Sequence, residues 1–454
     1  MQPPTAGEAD SPILFSAMMH HFFKGQFFDF EIVRILGTAT YGGSDIAEVL
    51  EAVGQIRDGD ADSWGRAWKT QAERALALAE DARLTGDRVA ARRAYLRASN
   101  YTRASGYMLT GDSLNHPHPR QRTVVEEVHA IFLKAAALFD CGVHFLDIPY
   151  DLDATLPGHL YLPPPERRLP GKIPILISGG GADALQEELF YMHPSAGPDL
   201  GYAVLTFEGP GQGVTLRRND IKMRPDWEVV VSTVLDFIED FARSHPELNL
   251  DTSRIAMAGA SLGGYFALRA AVDPRIKACV ALDPLYSFWD FATAHISPAF
   301  IGAWDRGWLS DAFVDTIISV MLKMSFQMRW EVNVAGTFFG HTSPARMMKE
   351  MKRYTLGNNY LKRIKCPVLV SGAAESLYLE ANHHTMRVYN ELVNLSDTNK
   401  ELWMTATPGQ GALQAKMGAL QLANQRTFKF LDEKLDIKRP PLMDLDKVQI
   451  NGIK

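Results

Sequence analysis

The run Gly259-Ala260-Ser261-Leu262-Gly263-Gly264 constrains the fold of this chain more than any other feature. It follows a short apolar stretch, Arg254–Ala258, and precedes an apolar helical pattern from Tyr265 to Val272. A serine with small residues two before and two after, set between a strand and a helix, marks a sharp strand-to-helix turn. A larger side chain at either flanking position would strike the adjoining strand or helix. The turn pushes the serine hydroxyl into a crevice and aims the first N–H groups of the helix at the same space.

The surrounding sequence supplies the sheet that such a turn needs. Ile173–Ile177, Tyr202–Phe207, Ala278–Leu282 and Pro367–Val370 are short apolar runs ended by Gly or Pro, as buried strands are, and Glu401–Met404 reads as the last strand. Val143–Ile148 and His159–Leu162 read as a β-hairpin. Helical patterns lie between the strands, notably Asp226–Ser244. Alternating helices and continuous apolar strands predict an α/β fold with a mostly parallel sheet covered on both faces.

Two segments depart from that alternation. Asp62–Leu84 and Asp87–Leu109 carry helical stripes through Trp64, Trp68, Ala72, Leu76, Ala94, Tyr95, Ala98 and Tyr101. This is one hairpin without a recurring period, so it reads as a helical cap rather than a repeat array. The prolines of Asn115-His116-Pro117-His118-Pro119 close it, and a helix follows over Val124–Phe139. The expected division is a helical N-terminal cap over residues 1–120 and a core over 121–454. Residues 286–360 interrupt the core without strand signal and are rich in Phe, Trp and Met, among them Phe288, Trp304, Trp308, Met324, Trp330 and Met347. That insertion falls between two strands whose ends face one crevice. It reads either as an apolar lid over the crevice or as additional core.

Composition excludes several classes. The chain has 454 residues, 46% apolar and 22% charged, ordinary globular usage that leaves no room for a disordered or fibrous protein. A net charge of −6, with basic residues scattered among acids, gives no field for nucleic acid or an anionic membrane. Cys141, Cys279 and Cys366 form no CxxC pair and lie in or beside apolar stretches, so a disulfide scaffold and a zinc site are not expected. No metal or cofactor is expected. The Phe-rich stretch 13–30 is interrupted by His20, His21, Lys24 and Asp29, which suits neither a signal peptide nor a membrane span. The expectation is a soluble cytosolic protein.

A second loop belongs with the serine turn. Ser178-Gly179-Gly180-Gly181-Ala182-Asp183 follows the strand Ile173–Ile177 and has no Walker lysine or GxGxxG, so it is not read as a phosphate loop. Its glycines allow close backbone approach to a substrate. In this arrangement it contributes N–H groups to an oxyanion hole beside that of Leu262, with Gly180 and Gly181 as the donors.

These stretches, with Ala90-Ala91-Arg92-Arg93-Ala94-Tyr95-Leu96-Arg97-Ala98-Ser99-Asn100-Tyr101, Phe207-Glu208-Gly209-Pro210-Gly211-Gln212-Gly213 and Gln425-Arg426-Thr427-Phe428, resemble the α/β-hydrolase superfamily. Within it the chain resembles the fermentation/respiration-switch-like esterase group. That group includes fungal pigment hydrolases that shorten a polyketide and a bacterial hydrolase cutting a C–C bond in a nicotine-derived diketone. The resemblance implies the α/β-hydrolase fold, a helical cap, a bulky apolar small-molecule substrate, a role in secondary metabolism, and a homodimer as the assembly to test.

The resemblance also implies a Ser-acid-His triad, which this sequence does not supply in full. Ser261 is in place, and Glu375 stands after Pro367–Val370 where the family usually has aspartate. The loop Thr407–Lys416, which should carry the histidine near Gly411 or Ala412, has none, and no histidine follows His384. His295 and His341 in the insertion and His383 after Glu375 are the substitutes considered, with His193 and His384 behind them. A serine hydroxyl without a base is a weak nucleophile. Three readings follow: hydrolysis of an ester or C–C bond in a polyketide-like substrate; a non-hydrolytic cyclase, condensation catalyst or dehydratase using the same oxyanion pocket; or an inactive binding protein.

Overall fold

The computed structural model describes residues 19–111, 113–151, 154–294 and 296–439. Eight strands form one sheet: β1 (Gly142–Asp151), β2 (Ala154–Leu162), β3 (Ile173–Gly179), β4 (Ala203–Phe207), β5 (Leu250–Ala260), β6 (Ile276–Leu282), β7 (Val368–Ala373) and β8 (Lys400–Thr405). Their order is β1-β2-β4-β3-β5-β6-β7-β8. β1 and β2 pair antiparallel, β2 pairs antiparallel with β4, and the six remaining strands run parallel.

Alternate residues of the central strands enter different cores, as a sheet covered on both faces requires. Ile175, Ile177, Ile255 and Met257 pack with Val230, Val234 and Phe266 from the helices Trp227–Ser244 and Leu262–Ala270. Leu176, Ala256, Ala258 and Val280 pack with Phe428 and Leu431 of the helix Leu420–Lys434 on the other face. The buried thiols of Cys279 and Cys366 belong to the first of these cores, and all three cysteines are free.

The described residues before the sheet form helices, including the long antiparallel pair Ala61–Thr85 and Arg88–Tyr107. Asp60 caps the first through the N–H groups of Asp62 and Ser63, and Gly86 ends it at φ 81°. Trp64, Trp68 and Tyr101 are fully buried between them, together with Phe28 and Ile32 of the helix Gln26–Gly37. Trp330, from the insertion, closes this cap core: its indole N–H donates to Tyr107 O at 2.7 Å and its ring lies 5.2 Å from Phe27.

The insertion folds as five helices between β6 and β7, from Phe288–Thr293 to Pro344–Met351. It serves as lid and core at once. Phe288, Phe338, Met347 and Met351 join the main core and also wall a cavity. Trp308 and Met324, read in the sequence as part of the same stripe, stand exposed instead, at 72% and 83%. No helix among the described residues is long and apolar enough to cross a membrane.

The topology places the ends of β3 and β5 side by side, so the glycine loop and the serine turn meet at one edge of the sheet. They meet at backbone contact. A Cβ on Gly259 would lie 2.1 Å from Gly263 O, and a Cβ on Gly263 would lie 2.8 Å from Gly179 O. Gly259→Ala should therefore cost at least about 2 kcal/mol, within the range for overpacking a tight core. Urea unfolding of the variant beside the wild type measures it, and an unchanged midpoint would contradict the contact.

Candidate active site

Ser261 occupies the turn between β5 and the helix Leu262–Ala270 at φ 56°, ψ −121°, a conformation a residue with a Cβ holds only under constraint. The constraint is visible. Ser261 N donates to Leu282 O at 2.9 Å, and Ser261 O accepts from Gly264 N at 3.0 Å and Leu285 N at 3.2 Å. The side chain is thereby turned to the wall of a cavity of about 430 Å³.

The glycine loop forms part of the same wall, through Gly179, Gly180, Gly181 and Ala182. Buried Gln212, from the turn after β4, donates its amide to Gly180 O and Gly181 O, each at 2.8 Å. A trans peptide points its C=O and its N–H in opposite directions. The two carbonyls held by Gln212 therefore turn the N–H groups of Gly181 and Ala182 away from it. Gln212 is absent from the cavity lining, so those N–H groups face the side on which Ser261 and Leu262 stand. Gly180, Gly181 and Leu262, the donors expected from the sequence, all line this cavity with Ser261.

No histidine lines the cavity among the described residues, and no side chain among them hydrogen-bonds the Ser261 hydroxyl. His295 lies outside the described residues. His341 and His383 are not in the cavity wall; the His383 side chain is 72% exposed. The helix expected to carry His383 and His384 begins only at Thr385. His384 is not exposed but 4% accessible, and its Nδ1 accepts from Tyr286 N at 3.1 Å. His193 is buried against the Ser178 hydroxyl at 2.8 Å, behind the glycine loop.

Glu375 does not join Ser261 at the cavity. That wall is formed by its neighbours Leu377, Tyr378 and Leu379. Its N–H donates to Ala412 O at 2.9 Å. Burial raises its carboxyl pKa, while the nearby charge of His21 from the cap opposes the rise.

The loop after β8 contains a different constellation that sequence reasoning missed. Lys416 Nζ lies 2.8 Å from Asp283 Oδ1, and both side chains are wholly buried. Asp283 follows β6, one residue after the carbonyl that holds Ser261 N. Its Oδ1 also accepts from the Ser371 hydroxyl at 2.8 Å. Burial lowers the Lys416 pKa and Asp283 counteracts that. The ammonium also donates to Gly372 O and Thr405 Oγ1, each at 3.2 Å. The tie brings Gln414 to the cavity wall, with its amide donating to Asp283 O at 3.2 Å.

The cavity is mostly apolar, walled by Phe30, Phe291, Ile318, Met321, Met328 and Met348. Its polar end comes from the cap. Arg34 holds Glu188 bidentately, both bonds at 2.6 Å, and donates to Asp183 Oδ2 at 2.8 Å and Tyr107 OH at 2.8 Å. Burial would raise the Asp183 carboxyl, but Arg34 and the Tyr107 hydroxyl hold it down at about 2. Burial pushes neighbouring Glu31 up to about 7 against the pull of Arg34. Across the wall, Glu331 of the helix Phe326–Phe339 is raised by burial, and its bond from Gln327 Nε2, at 2.8 Å, opposes the rise. A larger but open surface depression of about 690 Å³, near Trp289, Lys352 and Arg387, includes neither Ser261 nor the glycine loop.

Residues 175–388 match the alpha/beta hydrolase family. The chain is 73% identical over 424 residues to "Hydrolase ORFZ" of Pyricularia oryzae, covering 93% of this chain and 100% of that protein. The chain belongs to the α/β-hydrolase family. It is 54% identical over 438 residues to "Hydrolyase ccsE" of Aspergillus clavatus, covering 93% of this chain and 100% of that relative. Among solved structures it shares its fold with a 2,6-dihydroxy-pseudo-oxynicotine hydrolase, at TM-score 0.63 and 18% identity, over 88% of this chain and 95% of the other. AbyA5 follows with TM-score 0.54 and 17% identity, over 86% and 94%. This α/β-hydrolase is an enzyme, and both of these relatives are fungal.

The Lys416–Asp283 pair gives a test of how the site is held. Lys416→Met should leave Asp283 buried without a counter-charge and cost about 3–5 kcal/mol. Lys416→Met with Asp283→Asn should recover much of that loss, because the uncompensated charge is gone. Chemical unfolding of the two variants decides it; equal loss in both would mean that the pair does not hold the loop.

Proposed function

We propose that this α/β-hydrolase acts on a bulky, apolar, polyketide-like carbonyl compound and catalyses condensation with loss of water, without forming an acyl-serine. One observation carries the reading. The glycine loop and the start of the helix after Ser261 line one cavity with it, which supports a role as oxyanion donors, yet the Ser261 hydroxyl has no base in hydrogen-bond reach among the described residues.

The chemistry assigns a role to each group. A substrate carbonyl oxygen accepts from the N–H groups of Leu262, Gly181 and Ala182, with the Ser261 hydroxyl as a further donor. Polarised in this way, the carbonyl acidifies its α-carbon. The Glu331 carboxylate takes the α-proton and the oxyanion hole holds the enolate. The enolate carbon attacks a second carbonyl of the same chain, and that oxygen takes up a proton. The resulting alcohol leaves as water when a second α-proton is removed, giving a C=C bond. The lid and the cap fold the substrate so that its two carbonyls meet.

Hydrolysis through Ser261 is the second reading, and the intact strained turn is what favours it. A triad nucleophile would lose on the order of 10⁴-fold or more in turnover on Ser261→Ala. The condensation reading expects a smaller loss, about 10²–10³-fold, that of one oxyanion donor with three backbone donors remaining. Glu331→Gln should lose at least about 10²-fold in kcat, the lower end of general acid–base contributions. Glu331 must be ionised to take a proton, so kcat/KM should fall on acidification through a pKa above the ordinary carboxylate value. That limb should vanish in Glu331→Gln. Product mass from an apolar dicarbonyl substrate separates the readings. Loss of one water supports condensation; gain of one water, with rapid labelling of Ser261 by a fluorophosphonate, would sink it.

A further inference from the structure

On the side of the glycine loop away from β5, three metal-ligating side chains from three separate elements converge. They are His129 on the helix Arg120–Ala136, His159 on β2, and Glu187 on the short helix Gln186–Leu189. One donor atom from each lies within 4.8 Å of the other two. We propose that His129, His159 and Glu187 form a binding site for one divalent ion of the zinc class, separate from the catalytic cavity and independent of the reaction proposed for it.

Burial and bonding both favour the site. Glu187 is 3% accessible and His159 1%. Glu187 Oε1 takes the His129 Nδ1 contact at 2.8 Å, but Glu187 Oε2 is buried with no hydrogen-bond partner. An orphaned carboxylate oxygen costs free energy that a metal–oxygen bond would recover. The buried carboxyl of Glu208 is a near neighbour of Glu187. It does not compete as a ligand, because its two oxygens already accept from Gln186 N at 3.1 Å and Val214 N at 2.6 Å.

The imidazoles are also pre-set. The His159 ring stacks on Phe132 with centroids 5.7 Å apart and 6° between planes, and Phe145 meets it edge-on at 4.9 Å. The His129 and His159 rings are stacked at 5.8 Å and 24°. Two imidazoles and one carboxylate suit zinc, with water as the fourth ligand. Zinc–ligand bonds of about 2.0–2.1 Å would draw donors to about 3.3 Å from one another, so the side chains need shift only by about 1 Å. The His129 side chain is 26% exposed and gives the ion its route in. Once bound, the ion would cross-link that helix to the sheet and to the helix carrying Glu188, the partner of Arg34 at the cavity.

Isothermal titration of the chelator-stripped, full-length protein with zinc chloride tests this, with melting curves alongside. The expected result is one ion per chain and a higher melting temperature in zinc. Cobalt(II) at the same stoichiometry should give visible absorption bands of a four-coordinate ion. His129→Ala and Glu187→Gln should each weaken zinc at least about 10-fold. His383→Ala, an exposed histidine elsewhere, should not. Glu187→Gln keeps the side-chain shape, so it serves if His129→Ala proves unstable. Absence of saturable binding would reduce the cluster to a His129–Glu187 ion pair and overturn the site. Binding that survives both substitutions unchanged would place the ion on other histidines and overturn it equally.

Discussion

At Ser261 three stretches of backbone are pressed together with no side chain between them. β5 delivers the serine, the following helix leaves within one residue, and the loop after β3 lies against both. The approach of Gly263 to Gly179 sets the distance between the oxyanion loop and the helix start. Left-handed backbone at a residue with a Cβ costs of order 1–3 kcal/mol and persists only where its surroundings over-determine it. Here the bonds of Ser261 to Leu282 and Leu285 bind the turn to β6 and to the residues beyond it. The same bonds that hold the strain therefore position the start of the lid.

That coupling explains what the chain does where its family would place a histidine. The loop after β8 must still be held against the end of β6, or the wall beside Ser261 is lost. Lys416 and Asp283 do this by charge. Removing two ions from water is expensive, and the ammonium recovers it through Asp283, Gly372 and Thr405 together. An ammonium fixed in this way faces carbonyls and a carboxylate rather than the cavity. It organises the loop and leaves Gln414, a neutral amide, beside the reacting space. Neutral amides hydrogen-bond a carbonyl but do not take its protons, which suits a site that holds an enolate more than one that activates a serine.

The local pattern of the sequence carried the sheet, the serine turn, the glycine loop and the lid, because each depends on residues close together in the chain. The alternation of Ile175–Ile177 and Ala256–Ala258 between the two cores follows from strand period alone. What the pattern could not carry were pairings across long separations. Arg34 is 149 residues from Asp183 and 154 from Glu188, so an arginine inside an apolar helix gave no hint of its partners. Asp283 and Lys416 are as remote from each other, and neither fits a motif. Glu375 was placed by its position after β7, but the cavity wall there is formed by Leu377, Tyr378 and Leu379 instead. His384 follows the exposed His383 in the chain, yet it is buried and its Nδ1 accepts from the backbone N–H of Tyr286, a partner 98 residues away.

Arg34 also bears on the chemistry through what it does not reach. Its guanidinium donors are occupied by Glu188, Asp183, Tyr107 and, at 3.5 Å, Glu31. A free cation in an apolar cavity would pull every nearby carboxyl into its ionised form, since charges interact strongly where water is scarce. With Arg34 neutralised by its own partners, Glu331 faces a largely apolar wall and one neutral amide. Its carboxyl is raised by that burial, which in the proposed condensation narrows the gap between it and the carbon acid. A carboxyl balanced in this way can take a proton from the α-carbon and release it again to a departing hydroxyl, two transfers of opposite sign by one group. Paired to Arg34, the same carboxylate would be too weak a base for the first. For the proposed condensation, the separation of the cap's charge cluster from Glu331 therefore matters as much as the backbone donors beside Ser261.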